Sequence, residues 1–161
     1  YVKPNATTVC AMNTTQQVAA LPVRPNQAGI VEILLVTSRE TRRWVLPKGW
    51  PWPGMADHMA AAGEAHEEAG VQGRAAEACI GSYRYGKRDS SGVRLVDVAV
   101  FLLMVELELE DWPERAERRR AWFTPEAAAE AVDEPELRQI LRALSGMPLA
   151  ELQQTVRTAA G

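Results

Sequence analysis

Residues 49–71 read GWPWPGMADHMAAAGEAHEEAGV, a stretch that predicts a stiff loop joined to an acidic helix. Pro51 and Pro53 remove backbone donors and restrict the residues before them, so this part of the stretch cannot be helical. The alanine-rich run that follows favours a helix over residues 56–69. Gly70 is the expected left-handed end of that helix, because glycine adopts positive φ without strain.

Three glutamates crowd the last turns of the predicted helix. Glu64 and Glu68 are four residues apart on one face, with Glu67 beside them, and no cationic residue lies three or four positions away from any of them. Each carboxylate also opposes the helix macrodipole, at a cost of about 0.3–1 kcal/mol. Two interpretations follow: a solvated acidic face, or a site completed by a hard cation such as Mg²⁺ or Mn²⁺, which prefers carboxylate oxygens.

The loop before the helix supports the second interpretation. Gly49 precedes the proline segment, and a residue without Cβ lets the backbone come close to a neighbouring group. If the loop folds back over the helix, the Gly49 carbonyl approaches the same cation as the three glutamates.

The remaining sequence predicts strands on both sides of this helix and more helices near the end. QQVAALPVR and IVEILLVTS read as two strands of a hairpin, and VRLVDVAVFLLMVELEL contains an apolar run over residues 98–105 that is typical of a strand buried on both faces. This order predicts an α/β (α+β) sandwich. The expected segments are a flexible N-terminal stretch over residues 1–14, a domain over 15–146 and a C-terminal helical extension over 147–161.

Composition argues against several classes of function. The chain has 161 residues, 47% hydrophobic and 24% charged, with a net charge of -3, so a general nucleic-acid-binding or membrane-binding surface is not expected. Cys10 and Cys79 lack the spacing of a metal or redox motif and are interpreted as reduced. Together with the lack of an export signal, this predicts a cytoplasmic protein. The oligomeric state is not predicted.

Residues 49–71 also resemble the Nudix box, a pattern of glycines, an arginine and glutamates at fixed spacing. Met55 stands where the pattern has its first glutamate, and Gly63 stands where it has the arginine that orients the catalytic carboxylates in the family. Outside the box, the chain is similar to the diphosphoinositol polyphosphate and diadenosine polyphosphate hydrolase branch in ILLVTSRETRRWVLPKG, VELELEDWPE and RRRAWFTPEAA. The positions that match the box are Gly49, Glu64, Glu67, Glu68, Gly70 and Val71.

The resemblance implies a Nudix-type α/β/α sandwich with a mixed β-sheet and a divalent metal, Mg²⁺ or Mn²⁺. The implied metal ligands are Glu64, Glu67, Glu68 and the Gly49 carbonyl, and the same three glutamates are the candidate catalytic residues. Glu67 is a ligand through water or the general base, although Glu64 or a carboxylate from a loop is an equal candidate for the base.

An anionic substrate also requires cations, and the resemblance places several around the box. Arginine holds phosphate with two parallel hydrogen bonds, while lysine acts as a point charge. For the arginines, a solvated position at the rim is the alternative interpretation. The candidate substrate-binding residues are Ser38, Arg39, Lys48, Arg118 and Arg120.

The sequence therefore predicts a metal-dependent hydrolase that cleaves a diphosphate linkage in a small polyphosphorylated molecule. The linked group stays open among inositol pyrophosphates, dinucleoside polyphosphates, nucleotide sugars and capped RNA. The alternative, prompted by Met55 and Gly63, is a catalytically weakened Nudix fold that binds a nucleotide or phosphorylated metabolite as a sensor.

Overall fold

The computed structural model describes residues 16–160, so the predicted flexible segment over residues 1–14 lies outside the described residues. Eight strands and four helices lie within this part of the chain. The strands are β1 (Gln17–Pro25), β2 (Val31–Thr37), β3 (Trp44–Val45), β4 (Lys48–Gly49), β5 (Val71–Ala75), β6 (Gly81–Asp89), β7 (Gly92–Glu108) and β8 (Arg120–Phe123). The helices are α1 (Asp57–Ala69), α2 (Pro125–Ala131), α3 (Pro135–Arg142) and α4 (Leu149–Ala160).

The eight strands form one mixed sheet. Strands β1 and β7 are parallel and pair from Gln17 opposite Val98 to Val23 opposite Met104, whereas the other pairings are antiparallel. The main order is β3-β2-β1-β7-β5, with β4 beside β1, β6 beside β7 and β8 beside β2. The long apolar run predicted in β7 is buried from Val98 to Leu103, as expected for a central strand covered on both faces.

Helices cover both faces of the sheet. On one face, alanines of α1, including Ala61 and Ala65, pack on Leu34 and Phe101. On the other face, residues of α2 and α3 pack on the alternate positions of the same strands, since successive side chains of a strand point to opposite faces. The predicted α/β/α sandwich with a mixed sheet is therefore confirmed.

The first two strands form the predicted antiparallel hairpin, and its ladder is short. They pair only from Val23 opposite Ile33 to Pro25 opposite Val31, and the rest of β1 pairs with β4 and β7. β1 therefore lies between β2 and β7 in the sheet, and its two edges pair with different strands.

Two further observations bear on the sequence-based expectations. Cys79 is buried and forms a disulfide, so its interpretation as a reduced cysteine, on which the cytoplasmic prediction partly rested, is wrong. Cys10 lies outside the described residues. Among the helices of residues 16–160, none is both long and apolar enough to cross a membrane.

Candidate active site

A polar cleft of about 730 Å³ lies between the second half of α1 and the loop that precedes this helix. Its walls come from segments far apart in sequence: the β2–β3 loop, the proline loop, α1, β6 and the β7–β8 loop. The residues that line it are Gln17, residues 38–41, Arg43, Val45, residues 48–52, Glu64, Glu68, residues 85–88, Glu114 and Arg118.

Helix α1 presents its acidic side to this cleft. Its alanines anchor it on the sheet, and Gly70 ends it with φ of 65°, where the Gly70 N–H donates to the His66 carbonyl. This fixes the rotation of the helix and directs Glu64 and Glu68 into the cleft. The helix predicted over residues 56–69 is confirmed to within one residue.

Glu64 lies directly against Gly49. A Cβ built on Gly49 would collide with the Glu64 carboxylate, so a larger residue at position 49 would displace that carboxylate from its place beside the loop. Pairing of β4 with β1, through Val18 opposite Gly49, holds the backbone there. The predicted approach of Gly49 to the acidic helix is thus present in the structure.

Trp52 from the proline loop makes the second contact with Glu64, one that the sequence interpretation missed. The Trp52 Nε1–H donates to Glu64 Oε1 at 3.0 Å. Burial raises the pKa of Glu64, and this hydrogen bond opposes the increase. The ring lies over Gly63, while Met55, the other departure from the box, is 41% exposed and does not line the cleft.

Glu68 is the most buried carboxylate of the cleft, with 6% of the residue exposed. Burial raises its pKa to about 7, although Arg118 and Lys48 oppose the increase. Arg118 Nη2 lies 3.5 Å from Glu68 Oε2, and the Lys48 backbone N–H donates to Glu68 Oε1 at 3.4 Å. Burial also lowers the pKa of the Lys48 ammonium, which lies 4.9 Å from the centre of the Tyr85 ring.

Glu114, in the β7–β8 loop, is a third carboxylate that lines the cleft. It accepts a hydrogen bond from Arg118 Nε at 2.9 Å, and Arg118 also donates to the Thr37 carbonyl. Sequence reasoning left room for an unnamed loop carboxylate. The signal for Glu114 was its position in VELELEDWPE, one of the stretches that resemble the family.

The remaining predicted site residues separate into two groups. Ser38 and Arg39 lie at the rim, where Arg39 is 59% exposed and 4.0 Å from Glu114 and Glu117. Glu67 does not line the cleft. Arg120 also lies outside it: its guanidinium donates to the carbonyls of α1's last turn and of Leu109, and stacks 4.0 Å from the Trp112 ring.

Arg43 is a cleft cation that the sequence interpretation did not single out. Its Nη2 lies 2.6 Å from Glu134 Oε1, and Glu134 is buried. This pair joins the cleft wall to the start of α3. The other cationic residues that line the cleft are Arg39, Lys48, Lys87, Arg88 and Arg118.

The donor set fits a hard divalent cation. Glu68 supplies carboxylate oxygens in a buried position and Glu64 in a half-buried one, and burial raises the pKa of both. The three predicted glutamates do not converge, since no group of three or more His, Cys, Asp or Glu side chains within residues 16–160 is arranged to hold a metal. Two protein carboxylates with further oxygens from substrate and water are the usual environment of Mg²⁺.

The structure combines an α/β/α sandwich, two carboxylates on a loop–helix unit and a cleft with several cationic residues. This combination defines a class of protein, and comparison with known proteins identifies the class. The NUDIX domain profile matches residues 14–144, and the chain therefore belongs to the Nudix family. The resemblance inferred from the box is confirmed.

Individual relatives agree with this assignment. The chain is 36% identical over 107 residues to Nudix hydrolase 12, mitochondrial, of Arabidopsis thaliana, an alignment covering 62% of this chain and 51% of the relative. It is 34% identical over 130 residues to diphosphoinositol polyphosphate phosphohydrolase 2 of Rattus norvegicus, covering 78% and 68%. The chain thus spans about half the length of the plant relative.

A solved structure shows the same fold. The crystal structure of a C. elegans Ap4A hydrolase superimposes with a TM-score of 0.55 at 22% identity, over 81% of this chain and 95% of that one.

Proposed function

We propose that this protein is a metal-dependent hydrolase that cleaves a diphosphate linkage in a small polyphosphorylated substrate. The observation that carries the proposal is the pair of carboxylates, half-buried Glu64 and buried Glu68, in a cleft that is also lined by Lys48, Arg39 and Lys87. Membership of the Nudix family and the names of the relatives support the same activity.

Glu64 and Glu68, with the nearby Gly49 backbone, are the residues that would hold Mg²⁺ or Mn²⁺. A divalent ion bound there would neutralise phosphate charge and lower the pKa of water. Arg118 holds Glu68 and Glu114 in place, so we assign it to the carboxylates rather than to the substrate. Lys48 and Arg39 would bind the phosphate oxygens, and their charge would favour the transition state as negative charge develops.

The general base is best sought among carboxylates that face the substrate. Glu64 and Glu114 line the cleft, whereas Glu67 does not. A base must reach the attacking water within hydrogen-bonding distance, directly or through one further water. This geometry favours Glu64 or Glu114 over Glu67.

The names of the relatives guide the choice of substrates for identifying the group that is linked to the diphosphate. The names of the diphosphoinositol polyphosphate phosphohydrolase and of the Ap4A hydrolase point to inositol pyrophosphates and dinucleoside polyphosphates as the first substrates to examine. Lys87 and Arg88 of β6 also line the cleft, and we assign them to the distal part of such a substrate.

The proposal is tested by assaying the purified protein with Mg²⁺ and with Mn²⁺. The substrates are diadenosine polyphosphates, an inositol pyrophosphate, ADP-ribose and nucleoside triphosphates. We expect cleavage of at least one substrate, its loss in EDTA, and a decrease in kcat of about 100-fold or more in Glu68→Gln.

Glu67→Gln is the matched control, since it removes an adjacent glutamate charge outside the cleft, and its expected decrease in kcat is less than about tenfold. Binding of metal or substrate without turnover across the panel would contradict the hydrolase and favour the sensor.

A further inference from the structure

The structure contains a contact between the proline loop and helix α1 that the proposed function does not use. Trp52 lies across the helix at Gly63, and its indole N–H reaches the adjacent Glu64 carboxylate at 3.0 Å. Trp52 also packs against the core cluster formed by α1 and the sheet, which limits the positions its ring can adopt.

Gly63 is what makes room for this ring. A Cβ at residue 63 would lie 2.5 Å from Trp52 Cη2 and 2.9 Å from Cζ2 and Cζ3, closer than real Cβ contacts allow. Glycine within a helix otherwise costs about 1 kcal/mol relative to alanine. Glycine at position 63 therefore destabilises the helix, and the space that it leaves for the Trp52 indole explains its presence.

Glu64 is constrained from two sides as a result. Gly49 supports one side of the carboxylate and Trp52 donates to Oε1. The Trp52 indole is the N–H donor to the Glu64 carboxylate, and the charged groups that raise the pKa of Glu64 are acidic, namely Glu67 and Glu114. A neutral donor orients the carboxylate without taking up its negative charge, which stays available to a cation.

We infer that Trp52 is a positioning residue for Glu64, and that Gly63 is required because it seats the Trp52 ring beside that carboxylate. The inference rests on the proposed function, since its consequence is correct presentation of Glu64 to the metal. Under this inference the role of Trp52 is to position the carboxylate that binds the metal. Stacking of the Trp52 ring on the substrate is the competing role.

The first test is Trp52→Phe, which keeps an aromatic ring over Gly63 but removes the N–H. We expect kcat on the fastest-cleaved substrate of the panel to fall by about tenfold, with KM within about twofold of the wild type, because the lost bond orients a group that acts in the transition state. Isothermal titration calorimetry with MgCl₂ alone should show a Kd for Mg²⁺ raised by about three- to tenfold.

Trp122→Phe is the matched control. The Trp122 Nε1–H donates to Glu108 Oε1 at 2.8 Å, so the variant removes the same kind of bond outside the cleft. We expect its kcat, KM and Mg²⁺ Kd to stay within about twofold of the wild type.

Gly63→Ala separates positioning from simple stability. Alanine is the better helix former, so if residue 63 mattered only for the helix itself, the variant would be as stable as the wild type and fully active. The inference predicts instead that the displaced ring raises the Mg²⁺ Kd and lowers kcat by about threefold or more.

The outcomes distinguish this inference from the proposed function. Wild-type protein that cleaves its substrate, beside a Trp52→Phe variant with unchanged kcat and Mg²⁺ Kd, would overturn the inference alone. A raised KM with unchanged kcat and Mg²⁺ Kd would also overturn it, by assigning Trp52 to the substrate. Wild-type protein that neither binds Mg²⁺ nor cleaves any substrate would contradict both.

Discussion

At the scale of single residues, Glu68 shows how burial prepares a carboxylate for a cation. Its side chain is almost fully enclosed, and Arg118 approaches one oxygen at 3.5 Å without cancelling the cost of desolvation. The pKa of Glu68 is about 7 in the metal-free folded protein and 4.5 in the unfolded chain. Between these two pH values the folded protein therefore keeps a proton that the unfolded chain releases. Between pH 4.5 and about 7, metal binding therefore includes displacement of this proton.

This predicts a defined dependence of stability on pH in the absence of metal. Because the pKa of Glu68 is raised in the folded state, its contribution to the free energy of unfolding is fully present below pH 4.5 and is lost as pH rises through about 7. The loss should reach up to about 3 kcal/mol. Urea unfolding in EDTA between pH 4.5 and 8 measures it for the wild type and for Glu68→Gln.

The comparison of the two proteins centres on residue 68 and the groups that interact with it, since all other groups titrate alike in both. The wild type should lose stability relative to Glu68→Gln over this window. A constant difference between the two curves would contradict a raised pKa for Glu68.

At the scale of elements, the end of α1 is set by one glycine and two side chains from distant parts of the chain. Gly70 has positive φ, and a Cβ there would lie 2.5 Å from Trp112 Cδ2 and 2.8 Å from Arg120 Nη1. Trp112 donates to the Glu68 carbonyl and Arg120 to the carbonyls of Ala69 and Gly70. These bonds satisfy backbone acceptors that a helix end leaves open.

Gly70→Ala should therefore destabilise the protein more than backbone strain alone would. We expect a loss of about 3 kcal/mol in the free energy of unfolding, from positive φ and from displacement of Trp112 and Arg120. Denaturant titration at one pH provides the measurement.

Gly54→Ala is the control, because it strains the backbone at positive φ without bringing the new Cβ against another side chain. Gly54 has φ of 74° and no atom within 4 Å of a built Cβ, so the expected loss is about 1 kcal/mol. Equal losses for the two variants would show that the contacts at the end of α1 contribute nothing.

At the scale of the whole molecule, stability rests on the central strands covered by helices on both faces. Leu102 of β7 is buried in the cluster beneath α2 and α3, whereas Leu95, seven residues earlier on the same strand, is 66% exposed. The strand thus passes from the core into the solvent-exposed hairpin with β6.

Leu102→Ala is predicted to lower the free energy of unfolding by about 3 kcal/mol, because it removes buried methyl groups and leaves a cavity. Leu95→Ala makes the same chemical change on the same strand and should alter stability by less than about 0.5 kcal/mol. Both are measured by urea unfolding. Similar losses for both would contradict the assignment of β7 as a strand buried at its centre only.

Much of this protein is readable from local patterns in its sequence. Alanine content and Gly70 predict α1, Pro51 and Pro53 predict the stiff loop, and the apolar run over residues 98–105 predicts the buried strand, because propensity, capping and periodicity act between near neighbours. The spacing of the glutamates also indicated the family.

Only the tertiary structure decided which of these residues meet. It brings Glu64, Glu68 and Glu114 to one cleft, leaves Glu67 outside it, and uses Arg120 to cap α1. It also seats Trp52 on Gly63, two residues that a sequence pattern treats separately. These contacts depend on how the sheet pairs and how the helix is rotated upon it, and both are decided by burial of side chains that are distant in sequence.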